Sequence, residues 1–236
     1  MATITLHSPD LSSQAETWQP TQALVFYRSR EQVICMTHPV LTSGKHPELG
    51  AARTLSDAQR RDLVQALGAQ GLTPTEPGTL AVSPTGVAWW RPAGTAIMHF
   101  DAKYEQTRSI ARLSGVPVPL PGLVFLASPG RLSVYAAPGE TRPSLDTPVF
   151  HAPLWNIFQS GLVCQGTTRY PQGVLPADQA AWEEAFFASL FTGPSRTDRY
   201  MNWDRSYEEL LEEAIRQGTF PEEVLMPSKK TLREVF

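Results

Sequence analysis

Residues 147–171 read TPVFHAPLWNIFQSGLVCQGTTRYP, and the interpretation of the whole chain turns on them. The stretch holds Cys164, one of only two cysteines, and Asn156 lies eight residues before it. Gln159-Ser160-Gly161 reads as a turn, Leu162-Val163 as a short apolar approach, and Gly166 and Pro171 follow the thiol. The pattern predicts a strand-like segment and a tight turn that deliver a thiol to an irregular loop. That thiol is either a reagent or a packing group, and the surrounding chain has to distinguish the two.

The 236 residues allow one large domain or two small ones, and a 42% hydrophobic fraction supplies a substantial core. Twenty-one prolines and sixteen glycines argue for many turns rather than long helices. A net charge of −3 without lysine or arginine runs gives no footprint for nonspecific nucleic-acid binding. Two cysteines cannot build a disulfide framework, and there is no Cys-x-x-Cys or Cys/His cluster for zinc. The first residues, MATITLHSPDLSSQAE, lack the basic-then-apolar order of a secretory signal, and no apolar run is long enough for a membrane span. The expectation is a cytoplasmic protein with free thiols and no cofactor.

Upstream, Ala23–Tyr27 and Gln32–His38 read as strands around a polar turn at Arg28–Glu31. Cys35, between Ile34 and Met36, is expected as a buried core thiol, and His38 as a strand-end residue. A loop over Thr42–Leu49 leads to a helix starting at Ser56, with Gln59 completing a capping box and Gly68 and Gly71 ending it. Thr79–Val82, Gly86–Trp90 and Thr95–Phe100 read as a meander, with one of the adjacent indoles Trp89 and Trp90 facing a core and the other a sheet edge. Lys103–Ser114 is a short helix candidate. The alternating prolines of Val116–Pro121 force an extended connector. Leu123–Ala127 and Leu132–Ala136 flank Ser128-Pro129-Gly130-Arg131 as a hairpin.

Downstream the period changes. Trp182, Phe186 and Ser189 share a helical face, and Ala185, Phe187, Leu190 and Phe191 make the helix apolar over much of its girth. Ser206 and Glu209 form a capping box for a last helix over Tyr207–Gln217, which Gly218 and Pro221 stop. The Lys229–Glu234 tail reads as a frayed arm.

A thiolate is the nucleophilic form of cysteine, and many cysteine enzymes generate it with a nearby histidine. His151 and His99 are candidates without diagnostic spacing. Asn156 is the more suggestive partner, because its amide could donate to the oxygen that turns negative when a thioester carbonyl is attacked, worth on the order of 10²–10³ in rate. It could equally hold the loop in shape. Asp178 and Arg169 lie near the loop and read as tuning charges or as solvated ones.

The run Asn156, Gly161, Val163-Cys164, followed by a loop and an aromatic helix, resembles the active-site segment of ubiquitin-conjugating enzymes. There a His-Pro-Asn motif precedes the thioester cysteine by the same eight-residue step. The chain more closely resembles the PRTRC system protein B family, in the prokaryotic branch of that superfamily. Leu123-Val124-Phe125, Arg142-Pro143, Thr147-Pro148, Ala152-Pro153, Val163-Cys164-Gln165-Gly166, Trp182-Glu183 and Phe186-Phe187 carry the likeness, strongest over residues 116–192. Leu154-Trp155 stands where the motif's histidine and proline would be, and His151 is not an aligned replacement.

The resemblance implies an α+β fold: a ubiquitin-conjugating-enzyme-like antiparallel meander with flanking helices over 103–236, and an N-terminal β-rich extension with one helix over 1–102. It implies acyl transfer, with Cys164 and Asn156 as site residues. Cys164 would take a small ubiquitin-like protein from a ThiF-like activating protein and yield it to an amine. JAB-type and ParB-related proteins are neighbours in such systems. Two rivals stand beside this reading: a non-catalytic module that binds the modifier or activating protein, and a cysteine hydrolase using His151 or His99.

Overall fold

β-Favouring residues on either side of a polar turn fold into an antiparallel hairpin, β1 (Gln22–Arg28) with β2 (Val33–Leu41), and β3 (Glu48–Leu49) adds to β2. The computed structural model describes residues 19–30, 32–42, 46–66 and 74–236. Its chain divides into two compact units, Met1–Leu72 and Thr73–Phe236. The division therefore lies upstream of the expected 102/103 boundary, because strands before residue 103 belong to the main sheet of the second unit.

In the first unit, α1 (Asp57–Ala66) begins with the expected box: Ser56 N–H donates to Gln59 Oε1 at 2.9 Å and Gln59 N–H to Ser56 Oγ at 3.2 Å. Gly68 and Gly71 lie outside the described residues. Cys35 is half-buried rather than a core thiol, since its neighbour across the ladder, Phe26, is itself exposed. His38 lies inside β2, buried, with Nε2 2.8 Å from Tyr27 Oη and Nδ1 2.8 Å from the Gly50 carbonyl.

The second unit is built on β4 (Thr79–Ser83), β5 (Gly86–Arg91), β9 (Leu123–Ser128), β10 (Arg131–Ala136), β11 (Pro148–His151) and β13 (Pro227–Thr231). These form one antiparallel sheet in the order β13-β11-β10-β9-β5-β4. The expected 123–136 hairpin is its centre. The expected third strand of the earlier meander leaves this sheet: β6 (Gly94–Ile97) pairs with β8 (Pro117–Leu120), and β7 (His99–Phe100) runs parallel to β12 (Leu190–Phe191). β9 occupies the edge of β5 that a simple meander would have given to β6.

Period-two alternation sends neighbouring residues to opposite faces, and here both faces are covered. Trp89, Phe125, Leu132 and Val134 pack in one cluster with Trp182 and Phe186 of α3 (Gln179–Phe187) and Leu210 and Leu211 of α4 (Tyr207–Gln217). Trp90, Val124, Tyr135 and Val149 pack on the other side with Leu232 of α5 (Leu232–Val235). Both indoles are therefore buried, and neither marks an exposed edge. Only one face of α3 is buried, with Ala180, Ala181 and Glu184 in solvent. α4 carries the expected Ser206–Glu209 box and ends at Gly218 with φ +72°. The 103–114 segment is a short helix, α2 (Glu105–Arg108), continued by a 3₁₀ turn over Ile110–Leu113.

The C-terminal tail is an integral strand, not a frayed arm. β13 pairs with β11, Leu232 N–H donates to the Thr147 carbonyl at 2.9 Å, and Thr231 and Glu234 cap the final turn. Truncating a fully buried leucine costs about 2–5 kcal/mol. Leu232→Ala should therefore lower the denaturation midpoint in urea by that equivalent, while Arg233→Ala, an exposed position, should leave it nearly unchanged.

Candidate functional site

Asn156 has φ +61°, a left-handed backbone that asparagine tolerates better than most residues. Its N–H donates to the Gly193 carbonyl at 2.9 Å, and its own carbonyl accepts from Cys164 N–H at 2.6 Å. The side-chain Nδ2 donates to the Leu190 carbonyl at 2.9 Å, and Oδ1 accepts from Thr192 N–H and Oγ1, each at 3.2 Å. The residue thus ties the cysteine segment to the 190–193 loop. That loop is held from its far side by the β7–β12 ladder, which Asp101 N–H extends to the Phe191 carbonyl at 3.2 Å.

The cysteine is delivered as the spacing suggested. Ile157 bridges Val163, Phe158 N–H donates to the Leu162 carbonyl at 2.8 Å, and Gly161 turns the chain at φ +88°. A Cβ at Gly161 would come within 2.4 Å of the Tyr135 ring, and the Tyr135 hydroxyl donates to the Ser160 carbonyl, so the turn is seated on β10. Past Cys164, Gln165 closes a short loop by exchanging bonds with Thr168 through backbone and side chain, both at 2.9 Å.

Leu154 and Trp155 are both buried. Trp155 stacks on Tyr207 with centroids 4.8 Å apart and meets Phe100 edge-on at 5.7 Å. The Tyr207 hydroxyl donates to the Pro153 carbonyl at 2.9 Å. Burial pushes Tyr200 up to about 12, against the opposing pull of Arg196 and of the Trp155 indole that hydrogen-bonds its phenol. Aromatic packing thus supports the loop at Trp155, directly before Asn156.

Cys164 is exposed and opens on a groove of about 640 Å³ shared with Asp101, Tyr104, Asn156, Arg169 and Thr192. Small residues, among them Gly166, Ala185, Ala188 and Ser189, line its wall. Tyr170, buried against Trp182 at 5.0 Å, is pushed up to about 12 by burial and, secondarily, by the nearby Cys164 thiol. It is therefore a neutral phenol beside the sulfur at any physiological pH.

Neither candidate histidine lines this groove. His99 is exposed on β7. His151, on β11, stands 3.5 Å from Arg196 Nη2, and burial together with that guanidinium lowers its pKa. Arg169 is exposed at the groove, whereas Asp178 Oδ2 accepts from Leu175 N–H at 2.8 Å and caps the turn before α3. A second groove, of about 650 Å³, is lined by Val82, Gly86, Leu126 and Phe236 among others and carries no cysteine or histidine. Among the described residues no cluster of His, Cys, Asp or Glu could hold a metal ion, and no helix is long and apolar enough to cross a membrane.

Sequence reasoning missed Tyr170, Thr192 and the Leu190 carbonyl. Thr192-Gly193-Pro194 signals a turn, but nothing local links that turn to Asn156. It also missed the role of Glu183. Glu183 accepts from the Trp89 indole at 2.7 Å and pairs with Arg91 at 3.3 Å, fixing α3 to β5.

The sequence profile of prokaryotic E2 family D matches residues 59–228, a span that contains every residue of the groove. The chain belongs to prokaryotic E2 family D. No curated protein and no solved structure matches it at a significant level. Membership places the chain among the E2-like proteins of ubiquitin-like conjugation, whose general partners are a modifier and an activating enzyme. The α+β architecture, an antiparallel sheet with few helices, fits that family.

At this groove, substitutions at Asn156 separate backbone from amide. Asn156→Ala loses the amide bonds, about 1 kcal/mol each, and takes on left-handed strain of about 1–2 kcal/mol. Asn156→Gly loses only the amide, and should be the more stable of the two in thermal unfolding. Asn156→Asp keeps the Oδ1 acceptor for Thr192 but sets a carboxylate against the Leu190 carbonyl, and should be destabilised at neutral pH and recover as the carboxylate protonates in acid.

Proposed function

We propose that this E2-like protein is a thioester-forming carrier for a small ubiquitin-like protein, with Cys164 as the acceptor thiol. The single observation that carries the reading is the exposed Cys164 on the groove, its N–H bonded to the Asn156 carbonyl. In the reaction the Cys164 thiolate attacks the thioester carbonyl linking the modifier's C-terminus to the activating protein. The tetrahedral intermediate collapses, the bond to the activating protein's sulfur breaks, and that thiolate leaves. An amine then attacks the new thioester, forms an amide, loses its proton to solvent and releases the Cys164 thiolate.

A thioester exchange between thiols needs no strong general base, which agrees with a groove lined by no histidine. The wall of small side chains suits an extended C-terminal tail. Asn156 acts first as the residue that orients the loop, because its amide is bonded to Leu190 and Thr192, leaving one Nδ2 hydrogen for a developing oxyanion. The antiparallel sheet is read as a variant of the ubiquitin-conjugating meander. A PRTRC-type system, with a ThiF-like activator and its own small ubiquitin-like protein, is the setting that the resemblance supports.

The test is a charging assay with ATP, a ThiF-like activating protein and its ubiquitin-like partner. A reductant-sensitive adduct is expected with the native chain, none with Cys164→Ala, and a reductant-resistant ester with Cys164→Ser. Cys35→Ser should charge like the native chain. An uncharged native protein that still binds an active pair would establish the binding-module reading instead.

A further inference from the structure

β1 is the outer strand of the first unit's sheet, and no described strand pairs with its other edge. Thr21 faces Val40, whose N–H donates to the Thr21 carbonyl at 3.0 Å. In an antiparallel ladder the bonded pairs alternate, so Ala23, Val25 and Tyr27 bond inward to β2. Pro39, opposite Gln22, fits this phase because it has no N–H to give. The backbone groups of Gln22, Leu24, Phe26 and Arg28 therefore point to the open edge. Phe26 is 71% exposed and Leu24 38%, with Val33 and Ile34 more than half exposed on the neighbouring strand. The edge has no proline, lysine or bulge within Gln22–Arg28, the usual guards against strand addition.

This edge is complementary to itself. A two-fold axis at Val25 pairs all seven residues of β1 with a second copy. Leu24 then faces Phe26 and Gln22 faces Arg28, in pairs whose outward backbone groups can exchange hydrogen bonds. Val25 faces its own equivalent in a non-bonded pair. No like charges face each other, and the Leu24 and Phe26 side chains of both copies form one apolar cluster. Axes at Leu24 or Phe26 shorten the ladder and set Phe26 against Gln22 or Leu24 against Arg28. We propose that two copies of this chain associate through β1, edge to edge and antiparallel, merging two small sheets into one of six strands. A C₂ contact of this kind is isologous and closes at the dimer.

Sedimentation of the full chain should give a dimer. The doubly substituted Leu24→Lys/Phe26→Lys chain sets lysines against lysines and should sediment at half the mass with unchanged circular dichroism, as should Leu24→Glu/Phe26→Glu. Mixing the two should restore the dimeric mass. On a Cys35→Ser/Cys164→Ser background, Val25→Cys should form an inter-chain disulfide as oxidised glutathione is reduced to two thiols. Cα atoms about 4.5 Å apart in a non-bonded pair suit that bridge. Ala23→Cys, which faces Tyr27, should not crosslink. A monomeric native chain, a dimer that survives the lysine pair, or equal crosslinking from both cysteine positions would each overturn the proposal.

Discussion

The left-handed Asn156 backbone is the constraint on which the site depends. A φ of +61° turns the residue so that its carbonyl meets the Cys164 amide while its side chain reaches the 190–193 loop. Glycine would satisfy the backbone and lose the side-chain bonds. Other side chains would meet the steric cost without supplying an amide at this reach. Asparagine meets both demands, which is a physical reason for the residue that does not require a part in catalysis. The eight-residue step to Cys164 follows: Ile157 and Val163 must bridge, and Phe158–Leu162 must close a turn between them.

That turn in turn needs Gly161, whose missing Cβ admits the Tyr135 ring. Tyr135 belongs to β10 at the centre of the sheet, where it packs with Val124 and Leu232 on the face opposite Trp89 and Phe125. The position of the thiol is thereby referred to the sheet on one side. On the other it is referred to α3 and α4, through Tyr170 on Trp182 and Trp155 on Tyr207. The site is set by packed aromatic rings on both flanks, so an exposed sulfur is combined with an ordered loop.

What the sequence disclosed follows the range of the interactions. The Ser56 and Ser206 boxes, the 123–136 hairpin and the turn at Gly161 were legible because residues three to six apart decide them. So was the exposed loop after Val163. The departure of β6 from the main sheet, the docking of the tail on β11 and the pairing of Asn156 with Thr192 were not legible, since the partners lie tens of residues away. The partial exposure of Cys35 has a related reason: an apolar strand predicts coverage, but coverage is a tertiary fact. The family resemblance supplied the link between Asn156 and Cys164 that spacing alone left open.

The absence of a histidine from the groove lining bears on which chemistry an exposed Cys164 can serve. Hydrolysis of an acyl-enzyme requires water to be activated, ordinarily by a base within hydrogen-bond reach. His151 is engaged with Arg196, and its lowered pKa reflects burial and that positive neighbour rather than a thiolate partner. Tyr170, held neutral, cannot serve as a base at physiological pH. A thioester in this groove would meet no histidine among the lining residues, where Asp101 is the carboxylate present, and a carrier's thioester must persist until a better nucleophile than water arrives. An amine is such a nucleophile. The features that weaken the hydrolase reading are therefore the ones a carrier requires, because a carrier is useful only while its thioester outlasts the search for an acceptor.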